Sequence, residues 1–226
     1  IKINNLEVPI LDGSSKLFTN CIKKAGIKKQ NIEKKYLKIE KKFFFKDKIS
    51  GSSYLVEPAE KLSIRVELDY KSIFLKNQIA ELEDINKFED DISCCRTFSF
   101  LHEIKDLIKN DLIKGGDLDN AVIIIVKKAN NNLQEYLNKK FGRKNITFKL
   151  GKLLNKKELH YKNEPARHKL LDVIGDFTLL SSNIQAKITC FKPGHKNNLE
   201  FVKKLNNIMI EIVQMNEYQN DLIHSK

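Results

Sequence analysis

The stretch from Glu164 to Phe177 constrains this chain more than any other. Asn163 offers a side-chain oxygen to the first unpaired backbone N–H groups, and Pro165 fits a first turn where no donor is needed. A helix is therefore predicted to start at Glu164 and run to about residue 180. At about 100° per residue, Leu170, Val173, Ile174 and Phe177 share one apolar arc. His168, Asp172 and Asp176 fall on the opposite side, each about 6 Å further along the axis. One face packs against a core, and the other carries an imidazole and two carboxylates in line.

That line suits a divalent metal. Neutral imidazole and carboxylate both bind zinc, and an i,i+4 pair on a helix can reach one ion from adjacent turns. Asp176 is one turn too far, so an orienting role suits it better. A bare His-x3-Asp is more often an ordinary helix-surface pair, and the spacing alone does not establish a metal site.

With 226 residues, 41% of them hydrophobic, the chain has room for one large domain or one and a half around a real core. No apolar run reaches membrane-spanning length, and Ala121 to Val126, the longest, reads as a buried strand. The net charge of +12 rests on lysines scattered among abundant asparagine and isoleucine. This is the pattern of an A- and T-rich coding sequence, and no nucleic-acid recognition motif accompanies it. Cys21, Cys94, Cys95 and Cys190 form no C-x-x-C spacing, so they read as idle thiols in a reducing compartment.

Taken in order, Ile1 to Ser14 reads as a strand ending in a turn around Asp12-Gly13, and Lys16 to Gly26 as a helix capped by its glycine. The lysine-rich link from Lys28 to Lys35 is a candidate boundary. Tyr36–Phe45 and Tyr54–Tyr70 alternate as antiparallel strands, with Phe43-Phe44-Phe45 read as a strand buried on one face. Ile79 to Asp91 reads as helical. Leu101, Ile104, Leu107 and Ile108 sit at helical spacing, Gly115-Gly116 breaks the chain, and residues 121–126 return as a strand. His102-Glu103 reads as solvent-facing, since no second histidine completes H-E-x-x-H. Residues 127–155 read as a polar insertion. Ile184–Phe191 alternates as a strand, Leu199–Met215 is a closing helix with Leu205, Ile208 and Ile212 inward, and the last dozen residues read as a frayed tail. The fold class expected is α+β, with antiparallel sheets layered with helices.

Four stretches occur in a telling order: Cys95-Arg96-Thr97-Phe98-Ser99-Phe100, Lys114-Gly115-Gly116-Asp117-Leu118-Asp119-Asn120-Ala121-Val122, Arg167 to Asp176, and Lys192-Pro193-Gly194-His195-Lys196-Asn197-Asn198. Together they resemble the UDP-3-O-acyl-N-acetylglucosamine deacetylases, zinc amidases of lipid A synthesis. Pro9-Ile10-Leu11-Asp12-Gly13-Ser14 resembles a further block of that family. The resemblance implies a two-domain fold with the first domain incomplete: residues 1–33 would close the first domain. Residues 34–226 would form the second, with an acyl-passage insert near 98–126 and a zinc helix at 164–180.

The resemblance also assigns roles. His168 and Asp172 match two of three protein ligands to Zn2+. His195 matches the histidine that steadies the oxyanion and protonates the leaving nitrogen, Asp176 its carboxylate partner, and Thr97 a donor to the oxyanion. Lys169 and Lys192 would meet the sugar and the diphosphate. Phe98, Phe100, Leu101, Ile104, Leu107 and Ile108 would contact the fatty acyl chain. The implied partner is a small-molecule substrate, a UDP-linked acylated glucosamine, met in the cytoplasm by a monomer with transient contact to acyl-carrying pathway enzymes. No nucleic acid is expected.

Departures are visible too. Asp69-Tyr70-Lys71-Ser72-Ile73 stands where the family has Asp-Phe-x-His-Pro, and Leu159-His160-Tyr161 where it commonly has Leu-Arg-Phe. The family's third ligand and general base come from a Glu-His pair upstream of the block resembling Pro9 to Ser14. The residues read here supply two ligands and no general base, so by themselves they are expected to bind zinc weakly and hydrolyse little. A non-catalytic relative that binds a nucleotide-sugar or a protein partner is the alternative, and a basic nucleic-acid-binding protein a lesser one.

Overall fold

Alternation of apolar and polar residues, read above in three separate stretches, builds one sheet. In the computed structural model, residues 2–4, 6–34, 36–70, 72, 75, 77–110, 112, 115–128, 130–142, 148–154 and 158–224 are described. Ile1, Lys35, Lys71, Ile73 and Lys114, parts of the 127–155 insertion and the last two residues of the tail lie outside them.

The elements are α1 (Lys16–Ala25), β1 (Tyr36–Lys38), β2 (Phe43–Lys46), β3 (Ser53–Pro58), β4 (Ser63–Leu68), β5 (Gln78–Leu82), α2 (Phe88–Asp91), β6 (Phe98–Phe100), α3 (Ile104–Lys109), β7 (Val122–Ile124), α4 (Asn131–Lys140), α5 (Glu164–Phe177), β8 (Asn183–Phe191) and α6 (His195–His224). Two compact units divide the chain. One comprises Ile1–Ile27, Asp69–Gln78 and Phe88–His168; the other comprises Lys28–Leu68, Ile79–Lys87 and Lys169–Lys226, so the division falls within α5.

In the second unit, β8 is the axis of a six-stranded sheet ordered β2-β3-β8-β4-β5, with β1 also on β8. β3 runs antiparallel to β8, and β4 and β1 run parallel to it, so the sheet is mixed. Register places Tyr54 opposite Cys190 and Cys190 opposite Val66; Val56, Ile188 and Ile64 form the next row. All six are buried, because side chains two apart share a face. The other face is polar, with Arg65 paired to Glu67 at 2.8 Å and to Glu81 at 3.1 Å. Phe201 of α6 stacks on Tyr54 with ring centroids 4.5 Å apart and meets Phe177 of α5 at 5.4 Å, which layers both helices on the buried face. The molecule is α+β.

In the first unit, β6 and β7 pair in parallel across α3, as a strand–helix–strand unit should. Leu101, Ile104, Leu118, Ile123, Ile125, Leu137 and Leu154 form one apolar cluster. Phe100, Val122, Ile124 and Leu75 form another. Gly13, at φ 83°, holds a turn whose carbonyl accepts the Thr97 N–H at 2.7 Å.

Four local expectations are corrected. The described residues before Ser14 form no strand, since Pro9 lacks a donor and Leu11 and Gly13 bend the chain at positive φ. Gln78–Leu82 is a strand rather than helix, with Ala80 and Leu82 inward at a period of two and sheet pairing overriding the helical reading. No proline or glycine interrupts residues 195–226, and α6 continues to His224 where a frayed tail was expected. His102 is only partly exposed, and its Nδ1 is buried beside Phe100.

Candidate active site

α5 carries the line of polar residues predicted for it, but that line is not a solvent-facing one. His168 is 8% exposed, and the Asp172 and Asp176 side chains are 10% and 17% exposed. In the first unit, His168 Nδ1 lies 3.1 Å from the carbonyl oxygen of Cys95. A carbonyl only accepts, so Nδ1 carries the hydrogen and the lone pair of the neutral ring sits on Nε2. This is the arrangement by which a backbone carbonyl fixes the tautomer of a metal-ligating histidine. The Phe98 ring meets the imidazole edge-on at 6.4 Å.

One turn on, in the second unit, Asp172 accepts a hydrogen bond from Lys169 Nζ at 2.9 Å. An imidazole nitrogen and a carboxylate oxygen are donors of the kind that zinc takes. Among the described residues no group of three His, Cys, Asp or Glu side chains gathers into a metal cluster.

Asp176 and His195 are brought together. His195 Nδ1 donates to Asp176 Oδ2 at 2.9 Å, and its Nε2 lies 4.0 Å from Asp172 Oδ2, so the ring sits between two carboxylates. Its side chain is 66% exposed and so reachable from solvent. The turn that presents it is pinned from the β2–β3 loop: Asn197 donates to Ser50 Oγ at 2.9 Å and Ser52 Oγ at 2.8 Å, and Ser52 donates to the Lys192 carbonyl at 2.6 Å. Lys192 itself takes a positive φ of 49° and rests its ammonium 5.1 Å from the Phe191 ring centroid.

Thr97, in the first unit, borders a cavity of about 850 Å³. Its mostly apolar wall also includes Phe98, Ile104, Leu107, Pro9 and Leu112. Phe100, Leu101 and Ile104 are buried within the two apolar clusters, and Ile108 packs against the first of them.

Two features were missed by sequence reasoning. Arg96 and Glu164 form a two-pronged ion pair, Nε to Oε1 at 2.9 Å and Nη2 to Oε2 at 3.0 Å, just ahead of His168. Burial alone would push the Glu164 carboxyl up, but Arg96 and two backbone N–H groups hold it below its ordinary value. The second feature is Tyr54, whose buried hydroxyl reaches Asn198. An acidic residue at a helix start and an arginine in a conspicuous block were signals for the first; nothing local marked the second.

The sequence model of one family, described as UDP-3-O-acyl N-acetylglycosamine deacetylase, matches residues 1–146 and 139–207. The chain is 39% identical over 205 residues to a protein of Bacteroides thetaiotaomicron named bifunctional enzyme LpxC/FabZ, covering 91% of this chain and 44% of that protein. A protein of the same name from Chlorobaculum tepidum is 37% identical over 98% of this chain and 48% of its own length. The UDP-3-O-acyl-N-acetylglucosamine deacetylase of Teredinibacter turnerae is 31% identical over 91% of this chain and 60% of its own length. The chain thus spans about half the length of the curated relatives it matches first. On the extent of the family match and on this identity, the chain belongs to the UDP-3-O-acyl N-acetylglycosamine deacetylase family.

Proposed function

We propose that the protein containing this chain is a zinc-dependent deacetylase of lipid A biosynthesis, which hydrolyses the N-acetyl group of UDP-3-O-(3-hydroxyacyl)-N-acetylglucosamine. The observation that carries this reading is the contact of His195 with Asp176, a carboxylate on the same helix as His168 and Asp172. In this reading residues 1–33 belong to the family's first domain and 34–226 to its second, and the protein works as a cytoplasmic monomer. Among the described residues no helix is long and apolar enough to cross a membrane.

His168 Nε2 and the Asp172 carboxylate would hold the metal. When bound, zinc supplies a Lewis acid at the amide carbonyl and lowers the pKa of a water molecule. The chain's residues do the rest. His195, with Nδ1 committed to Asp176, presents Nε2 to hold a proton and pass it to the departing amine nitrogen. Asp176 fixes the tautomer and orientation of that ring. The Thr97 hydroxyl donates to the oxygen that gains charge. Lys169 and Lys192 neutralise the substrate's phosphates and hold its sugar. The cavity beside Thr97, with Phe98, Ile104 and Leu107 in its mostly apolar wall, would receive the fatty acyl chain; Phe100, Leu101 and Ile108 pack in the apolar clusters of the same unit.

The test is acetate release from the acylated UDP-sugar by the complete protein. Release that needs zinc, stops on chelation and is abolished together with zinc retention by Asp172→Ala is the expected result. Release indifferent to chelation and to Asp172→Ala would refute the mechanism, and substrate binding without turnover would favour a non-catalytic relative.

A further inference from the structure

A buried polar chain runs behind the Asp176–His195 pair. Tyr54 and Asn198 are both 0% exposed, in the apolar layer between the sheet and α6. The Asp176 carboxylate only accepts, so Asn198 must turn its NH2 toward Asp176 Oδ2, 2.7 Å away. Its carbonyl oxygen then faces Tyr54 and accepts the phenolic hydrogen across 2.5 Å. Burial pushes the Tyr54 phenol well above its ordinary range, which keeps that hydrogen in place. Donor and acceptor directions are therefore set along the whole chain, from Tyr54 through Asn198 and Asp176 to His195 Nδ1.

Buried polar groups cost free energy unless paired, and an apolar pair could fill the same volume without that requirement. Here the polar chain ends on one carboxylate. Asp176 Oδ2 accepts from both Asn198 and His195, at 2.7 and 2.9 Å, so the amide fixes the plane from which the carboxylate meets the imidazole. We propose that Tyr54 and Asn198 are positioning residues, which act through Asp176 to hold the His195 ring in its working orientation. This rests on the reading of His195 as the group that delivers a proton. The packing of Tyr54 is separable from its hydroxyl: its ring stacks on Phe201 at 4.5 Å and lies 5.8 Å from Phe45, contacts that a phenylalanine keeps.

The experiment compares the complete, zinc-loaded protein with Tyr54→Phe, His195→Gln and the double variant. Tyr54→Phe is expected to lower kcat about tenfold with KM within about twofold, since misorientation weakens the chemical step rather than binding. In the His195→Gln background it should cost nothing more. An unchanged kcat, or the same loss in both backgrounds as a purely structural role requires, overturns the proposal. Hydrogen exchange of the Asn198 side-chain amide in 15N-labelled protein gives a second reading that needs no turnover. Slow exchange that quickens about tenfold or more in Tyr54→Phe supports the chain, and equal rates overturn it. A wild-type protein that releases no acetate would refute the proposed function alone, and the exchange rates would still decide the positioning role.

Discussion

Replacing Arg96 by methionine would strand Glu164 as a buried carboxylate without its cation. The Glu164 side chain is 1% exposed and that of Arg96 13%. Four N–H groups converge on the carboxylate: Nε and Nη2 of Arg96 at 2.9 and 3.0 Å, the Arg96 backbone at 3.0 Å and the His160 backbone at 2.6 Å. The substitution removes the two charged donors and keeps the two backbone ones. Losing one partner of a buried ion pair costs roughly 3–5 kcal/mol, and the surviving donors place the expected loss near the lower end, about 3 kcal/mol. For a chain of this size that lowers the melting midpoint by about 6–12 °C.

The pH dependence separates this mechanism from a mere packing defect. Burial works to raise the Glu164 carboxyl, and the Arg96 and backbone hydrogen bonds outweigh it, so the folded value lies below the ordinary 4.5. Its stabilisation is complete above 4.5 and is lost as the pH falls through the lower folded value. Without Arg96, desolvation is less opposed, the carboxyl moves up, and protonation relieves the stranded charge. The deficit should be largest near neutral pH and shrink below 4.5. The chain has no tryptophan, so circular dichroism in urea and heat is the assay. A neutral-pH deficit under about 1 kcal/mol, the value of an exposed pair, or one that is constant with pH, would refute the reasoning.

Two further substitutions test the frame of each unit. A Cβ added at Gly13 would collide with the Asn120 carbonyl oxygen at a φ of +83°, so Gly13→Ala should destabilise by about 2 kcal/mol or more, read as a lower urea midpoint at unchanged slope. Phe201 is fully buried and touches Tyr54, Phe45 and Phe177, so Phe201→Ala should cost about 3–5 kcal/mol, and a thermal midpoint lowered by less than about 3 °C would contradict that packing.

What the chain discloses without coordinates follows the range of the interactions involved. α5 and β8 lay where periodicity put them, because a 3.6-residue or two-residue repeat is written in adjacent positions. The neighbours of β8 were not so written. β3 and β4 are close in sequence, yet β8 lies between them, antiparallel to one and parallel to the other. Pairing at such separation depends on which buried faces match, and Val56, Ile188 and Ile64 meet only once all three strands are in place. The same distinction governs the site. His168, Asp172 and Asp176 share one helix, so their alignment could be derived from spacing, and resemblance pointed to the His195 that meets Asp176. Tyr54 is 144 residues from Asn198, and a tyrosine in an alternating strand looks like any other inward aromatic. Its hydroxyl becomes legible only through satisfaction of polar groups: a buried Asn198 that must donate to Asp176 has one oxygen left, and something must donate to it. Arg96 and Glu164 obey the same rule, since a carboxylate at 1% exposure requires donors before it can require a function. The part of a site that the sequence conceals is thus its support, where each residue is chosen by a partner that the chain has not yet brought near.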